Sequence, residues 1–352
     1  MDSHRSVTPD PTAQGVRDLP RGTRSGRRAA WSRDDLRFLA EWPALKLAAM
    51  TLPEKMWFSA ARRIENAKTL IGLAVPAARA ETIRRALDPR AGDAAARIAR
   101  DSAACRTEHR IQLLKSTTID SWKPEIQIEG RSHLECAAAQ GRGIILWVAP
   151  FCFSPLVTAM ALRAAGYPMT HLGLGTHGFS MSAFGIRWLN PQCIQAEARQ
   201  LRHRITIDPA NPGGALHHAR RELARNGVVS ILMGAWAGRT VIRGRLFGGW
   251  LPLAIGAPGL AHRTGAALLP VFTTRMPGGG AFQVRIGAPL PTGAKQRGTA
   301  ISHAVTSVLT ELEAAIRHAP DQWLCWQDLR FDEGGIADQH DAADIHRNGD
   351  GG

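Results

Sequence analysis

Apolar positions recur every three to four residues between Asp34 and Ala78, in the runs DDLRFLAEW, ALKLAAM and TLPEKMWFSAARRIENAKTLIGLA, and that period predicts amphipathic helices. Thr51 followed by Glu54 has the spacing of a capping box, and Pro53 suits an early helical position, so a helix is expected to begin there. Trp57 and Phe58 set against Arg62 and Arg63 make this helix amphipathic and basic, a type that either lies in a membrane interface or packs on its own core. Residues 79–119 read as further helix. The pattern then changes. GIILWV at 143–148, MTHLGL at 169–174, VVSILM at 228–233, ALLPVFTTR at 267–275 and FQVRIG at 282–287 are short aliphatic or β-branched runs separated by helical stretches. One of those helices is marked by Asn211 as cap, Pro212 in the first turn and Gly227 as stop. A long helix over about 299–318 and a short Trp-rich one over 320–330 end the series. The alternation predicts an α/β fold, a single domain with a mostly parallel central sheet flanked by helices.

The two ends of the chain lack any such period. Residues 1–30 are rich in Arg, Pro, Ser and Gly, and 332–352 are acidic with repeated Gly and His; neither stretch has the apolar content to order itself. The expected organisation is a disordered basic tail (1–30), a helical region able to touch a membrane surface (31–120), an α/β core (121–331) and a disordered acidic tail (332–352). Residues 143–162 form an uncharged run of membrane-spanning length, but Pro150 and Pro155 divide it and its first half suits a buried strand. A strand followed by a helix is therefore expected there. Arg27 and Arg28 are not followed by an apolar stretch, so no secretory or twin-arginine signal is expected.

Charge changes the picture more than composition does. The chain carries a formal +14, and residues 136–310 hold seventeen basic side chains against only Glu197, Asp208 and Glu222, which accounts for the whole surplus. Such a field attracts nucleic acid, an anionic membrane surface, phosphorylated small molecules or acidic carrier proteins. Nucleic acid fits poorly, because the chain has a single tyrosine, no recognisable nucleic-acid module, and tryptophans in apolar rather than basic surroundings. The cysteines are five, an odd number, and none stands in a CxxC or Cys/His arrangement, so reduced thiols and no metal are expected.

Three stretches carry a resemblance. IEGRSHLECAAAQGRGIILWVAP presents a short helix, a Gly-Arg-Gly turn and the first core strand; RLFGGWLPLAIGAPGLAHRTGAALLPVFTTR orders Phe-Gly, Pro, Leu-Ala, Arg-Thr-Gly-Ala and Pro-Val-Phe; APDQWLCWQDLRF presents Pro-x-x-Trp-x-x-Trp ending in Arg-Phe. Together they resemble the lipid A biosynthesis lauroyl/myristoyl acyltransferases, within the glycerolipid acyltransferase superfamily, over residues 125–331. The resemblance implies transfer of a fatty acyl chain from an acyl carrier protein or coenzyme A thioester to a hydroxyl of a lipid or lipid-like acceptor. It implies no cofactor beyond the donor, and peripheral attachment at the cytoplasmic face of the bacterial inner membrane, with anionic lipid as a further partner. It also implies a His at the end of the first core strand as general base and a carboxylate five residues later. Those two positions are Pro150 and Pro155, and no Asp or Glu occurs between Glu135 and Glu197. The chain is thus either a transferase with a non-standard site or a catalytically inactive homologue that binds anionic lipid or partners an active enzyme.

Several side chains are candidates for what remains. Cys152 stands where the strand gives way to a helix, a setting that can lower a thiol pKa and make an acyl-accepting nucleophile; its ordinary role is a small buried apolar residue. His177, in GLGTHGFS, stands in a loop after the second strand, where a substitute base could sit. Arg239, Arg243 and Arg245 alternate before the segment Phe247, Gly248, Gly249, and with Arg275 they fall where the resemblance implies recognition of an acidic head group or donor phosphate.

Overall fold

The structure is a computed structural model that describes residues 13–18, 29–70, 77–88, 90, 92–118, 122–176, 178–208, 212–234 and 240–331. Inside the first thirty residues, expected to carry no order, Ala13–Asp18 forms a strand, β1. The first helix, α1 (Arg33–Thr51), is opened by Ser32, whose hydroxyl accepts from the Asp35 N–H at 3.2 Å while the Asp35 carboxylate accepts from the Ser32 N–H at 2.6 Å. The capping box expected at Thr51 and Glu54 does not form. Thr51 ends α1, with its hydroxyl donating to the Leu47 carbonyl at 2.8 Å, and the Glu54 carboxylate instead accepts from Trp122 Nε1 at 2.8 Å. A 3-10 turn at Glu54–Met56 leads into α2 (Trp57–Leu70), and α3 (Ala77–Leu87) and α4 (Gly92–Ser116) follow.

The core elements are β2 (Glu125–Glu129), α5 (Arg131–Ala139), β3 (Ile144–Val148), α6 (Ser154–Ala164), β4 (Met169–Leu174), α7 (Asn190–Ala198), β5 (His203–Ile207), α8 (Pro212–Ala224) and β6 (Val228–Leu232). After them come β7 (Thr240–Leu246), β8 (Gly249–Ala254), α9 (Gly256–Thr264), β9 (Ala267–Arg275), β10 (Ala281–Ile286) and α10 (Arg297–His318). Seven strands form one sheet in the order β2-β10-β9-β3-β6-β4-β5. The five from β9 to β5 run parallel, while β10 is antiparallel to β9 and β2 runs with β10. The expected mostly parallel α/β sheet is thus present, and the uncharged run at 143–162 is β3, a turn and α6. Among the described residues no helix is long and apolar enough to cross a membrane.

Side chains alternate across the pleat and divide the core in two. Ile145, Trp147, Val229 and Leu268 pack with α8, α9 and α10, while Ile144, Leu146, Val148 and Leu269 pack with α5, α6 and α7. α4 joins the halves, giving Ala95 and Ala99 to the first and Ile111 and Leu114 to the second. The stop of α8 uses Asn226 rather than Gly227 in the left-handed conformation (φ 57°). The Gly227 N–H bonds the Glu222 carbonyl and the Asn226 N–H the Leu223 carbonyl, a Schellman motif. The proposed cap of α8, Asn211, lies outside the described residues.

The Trp-rich C-terminal segment is not a helix, as expected from its sequence, but two 3-10 turns at Pro320–Gln322 and Trp326–Asp328. Its backbone is committed elsewhere. The Gln322 carbonyl accepts from the Cys152 N–H at 2.8 Å, and the Leu324 N–H donates to the Pro150 carbonyl at 2.9 Å. Trp323 and Trp326 are buried against the same segment's neighbours, their rings edge to face at 4.8 Å.

Candidate active site

The chain leaving β3 is pinned from three sides. The Ala149 N–H donates to the Val271 carbonyl at 2.8 Å, the Ser154 hydroxyl to the Ala149 carbonyl at 2.8 Å, and the C-terminal turns hold Pro150 and Cys152 as described. Pro150 is buried within this clamp. Pro155 sits in the first turn of α6, where its missing N–H costs nothing. Neither residue can carry a proton.

Pro155 lines a cavity of about 500 Å³ at the carboxyl ends of β4, β5 and β6, the place where parallel α/β sheets commonly receive ligands. Leu174, Ile207, Leu216, Ile231 and Leu232 make its walls apolar. Among the described lining residues none is acidic, and the two cations are Arg263 from α9 and Arg297 at the start of α10. Burial pulls the Arg263 guanidinium below its ordinary pKa, and the charges of Arg297 and Arg220 push it the same way. The arginines therefore repel one another across a cavity end that lacks a neutralising carboxylate. Gly259 faces them: a Cβ there would come 3.5 Å from Arg297 Nη2.

The cavity lip is built by one asparagine. Asn190 Oδ1 accepts from the N–H groups of Phe179 (2.7 Å) and Ser180 (3.0 Å), and Nδ2 donates to the carbonyls of Thr176 (3.0 Å) and Ser180 (2.7 Å). Gly178 is required beside it, since its φ is 149° and a Cβ would lie 2.5 Å from Asn190 Oδ1. Across the cavity, on β4, His171 Nδ1 lies 2.9 Å from the buried Ser230 Oγ. With that nitrogen donating to Ser230, Nε2 is the basic one; it lies 2.8 Å from where a Cβ of Gly173 would be, so the glycine makes room for the ring beside the cavity.

Of the described residues singled out from the sequence, Pro155 lines this cavity, while Cys152, Arg243, Arg245, Phe247, Gly248, Gly249 and Arg275 do not. His177 and Arg239 lie outside the described residues, although Thr176 and Gly178 line the cavity. Cys152 is 3 % exposed, and burial pushes its thiol up to about 12 despite the nearby Arg106, the reverse of the lowered value its place before α6 suggested. Arg243 and Arg245 sit on β7, Arg243 over the Trp250 ring at 4.2 Å, and neither lines the cavity. Phe247 and Gly248, with φ of 51° and 74°, are the two-residue turn between β7 and β8. Gly249 begins β8 where the backbone meets Arg330, and a Cβ there would lie 2.3 Å from the Arg330 carbonyl oxygen.

Arg275 is a half-buried, paired cation. Its Nε lies 3.2 Å from Glu108 Oε2, its guanidinium covers the Phe58 ring at 3.9 Å, and Asp321 stands 3.9 Å away. Burial pushes the Glu108 carboxyl up to about 7, against the opposing pull of Arg275.

Sequence reasoning passed over Arg263, Arg297 and Ser230. Arg263 and Arg297 fall within the acid-poor basic stretch, and that scarcity of carboxylates was the available signal; the partnership of His171 with Ser230 depends on β4 lying beside β6, which no local pattern encodes. No curated protein matches the chain. The family model for bacterial lipid A biosynthesis acyltransferases matches residues 103–331, from the middle of α4 to the Trp-rich terminus and including every strand of the large sheet. The protein belongs to that family of bacterial lipid A biosynthesis acyltransferases.

Proposed function

We propose that this protein transfers a fatty acyl chain from an acyl carrier protein or coenzyme A thioester to a hydroxyl of a lipid or lipid-like acceptor, at the cytoplasmic face of the inner membrane, with His171 as the proton acceptor. The observation that carries the reading is the apolar cavity that holds His171 and the motif residue Pro155 on its walls and Arg263 and Arg297 at one end. Apolar walls suit an acyl chain, and guanidinium groups without carboxylates suit a phosphate of the donor or of the acceptor head group.

In this scheme His171 Nε2 takes the proton of the acceptor hydroxyl as its oxygen attacks the thioester carbonyl. The tetrahedral intermediate collapses with loss of the thiolate, which receives the proton from the imidazolium, leaving an ester and a free thiol. Ser230 holds the ring by accepting from Nδ1, a positioning role. The buried, high-pKa thiol of Cys152 favours this direct route over a covalent acyl-cysteine. His177, between Thr176 and Gly178 in the sequence, is the other ring for which the sequence suggests the same task.

Thiol release tests the reading. Full-length protein given acyl carrier protein and coenzyme A thioesters of several chain lengths, with lipid acceptors, is expected to release thiol above background with at least one pair; no release with any pair overturns it. Pro150 and Pro155 motivate a second reading, a binder of anionic lipid or acyl chain without turnover. Under it, Pro150→His with Pro155→Glu creates activity absent from the wild type, or leaves only retained lipid binding.

A further inference from the structure

Arg204 of β5 stands opposite His171 of β4 in the parallel register. Both point to the face of the sheet that α6 and α7 cover: His171 alternates with Met169, which enters that half of the core, while Leu172 and Ile205 enter the other. There the guanidinium is nearly enclosed. Its side chain is 11 % exposed, and Nη2 donates to Oε2 of Glu197 on α7, itself 2 % exposed. Nε and Nη1 are buried and have no hydrogen-bond partner. Leaving charged N–H groups unpaired away from water costs free energy, and a neutral side chain at this place would avoid that cost. A buried ion pair of this kind adds little to stability, which points to a use for the charge itself.

Beside Nη1 lies the imidazole. The position that a Gly173 Cβ would take is 2.8 Å from His171 Nε2 and 3.8 Å from Arg204 Nη1, so the glycine lets ring and guanidinium approach one another behind the cavity wall. Other charges on this face are few. α6 carries only Arg163, exposed in its last turn, and α7 only Glu197, to whose Oε1 the Cys193 thiol donates at 3.5 Å; burial pushes that thiol up, so it stays uncharged. β6 has no ionisable residue, α8 packs on the opposite face, and the cavity's own cations, Arg263 and Arg297, stand at one end of it. We propose that Arg204, held by Glu197, is a positioning residue for the transfer: its charge beside Nε2 keeps the His171 ring in the neutral form that can take a proton from the acceptor hydroxyl. A cation disfavours a second cation at this range, and enclosure reduces the screening that water would give. Arg204 does not line the cavity and acts through the ring.

The role rests on His171 being the proton acceptor of the proposed transfer, while the charge relation is measured without turnover. In full-length protein labelled at its histidine rings, the His171 resonance is identified by its absence from His171→Gln, and its titration is followed by NMR. Arg204→Gln is expected to raise the protonation midpoint of the ring, and Glu197→Gln, which leaves the guanidinium unopposed, to lower it, each by roughly half a pH unit or more. Arg204→Lys keeps the charge and should titrate close to wild type. The double variant, Arg204→Gln with Glu197→Gln, leaves no buried charge unpaired and guards against a misfolded Arg204→Gln: its midpoint should lie above that of Glu197→Gln by a similar amount. Midpoints that stay in place, or that move the same way in both single variants, overturn the proposal. The acid limb of thiol release should follow the ring, moving to higher pH in Arg204→Gln; a lower rate with an unmoved limb would mark a structural residue and also overturns it. Opposite ring shifts in a protein that releases no thiol leave the charge relation standing and remove the transferase reading, whereas thiol release with unmoved rings removes the role of Arg204 alone.

Discussion

Prolines occupy both places where the resemblance implies a proton-moving side chain, and one of them, Pro155, lines the cavity that His171 lines from β4. Its hydrogen bond to Ser230 fixes the ring, so the two residues should respond differently to change. Ser230→Ala leaves the imidazole in place but frees its orientation and is expected to lower the rate less than loss of the ring itself. Glu108 gives a second residue-scale expectation. Its folded pKa of about 7 lies above the ordinary 4.5, so the folded protein holds this proton more tightly than the unfolded chain does. The stability it contributes is full below pH 4.5 and is lost as pH rises through 7. Glu108→Gln stays neutral throughout, so the unfolding free energy, measured by denaturant titration across pH, should shift in the variant's favour between pH 4.5 and 7, by on the order of 3 kcal/mol, and level off above. A difference between the two proteins that does not change with pH contradicts this account of the buried pair.

At the scale of elements, the lip of the cavity is a loop held by one side chain. Asn190→Ala removes four hydrogen bonds and leaves backbone groups of Thr176, Phe179 and Ser180 without this partner. A loss of about 3 kcal/mol or more is expected in denaturant unfolding. Asn190→Asp keeps the two accepted bonds and should fall between wild type and alanine; an aspartate variant no more stable than alanine would show that the acceptor side contributes nothing. The same loop explains what the sequence could and could not disclose. The five strands read from it are the inner ones of the sheet; β3 and β9 are buried on both faces and read as continuous aliphatic runs, while β10 alternates buried and half-buried positions. β2 (EIQIE) and β5 (HRITI) are the edges of the sheet, half exposed and charged, so their alternation is short and diluted. β7 and β8 carry Arg, Gly and Pro inside a hairpin that β1 borders along β7 and that the C-terminal segment bridges at Trp250 and Arg330. Thr51 and Glu54 had the right spacing for a cap, but Trp122 claims the carboxylate, a contact 68 residues distant in sequence. That prolines stand where the resemblance implies a His and a carboxylate was plain from the sequence alone. The cavity was not, because His171, Arg263 and Arg297 come from three elements that only the sheet order and helix packing bring to one place.

On the scale of the molecule, an acid-poor basic core surrounds an apolar cavity at the carboxyl ends of parallel strands, with a pair of arginines at one end of it. These features act together only if an acyl chain enters the cavity and is transferred there. Mass-spectrometric detection of acylated lipid, in matched reactions of wild type and His171→Gln with one acyl thioester and a vesicle-borne acceptor, tests that most directly. Ester product from the wild type, reduced roughly 10²-fold or more by loss of the ring, is the predicted result; equal product from both proteins would contradict the assignment of the chemistry to this cavity.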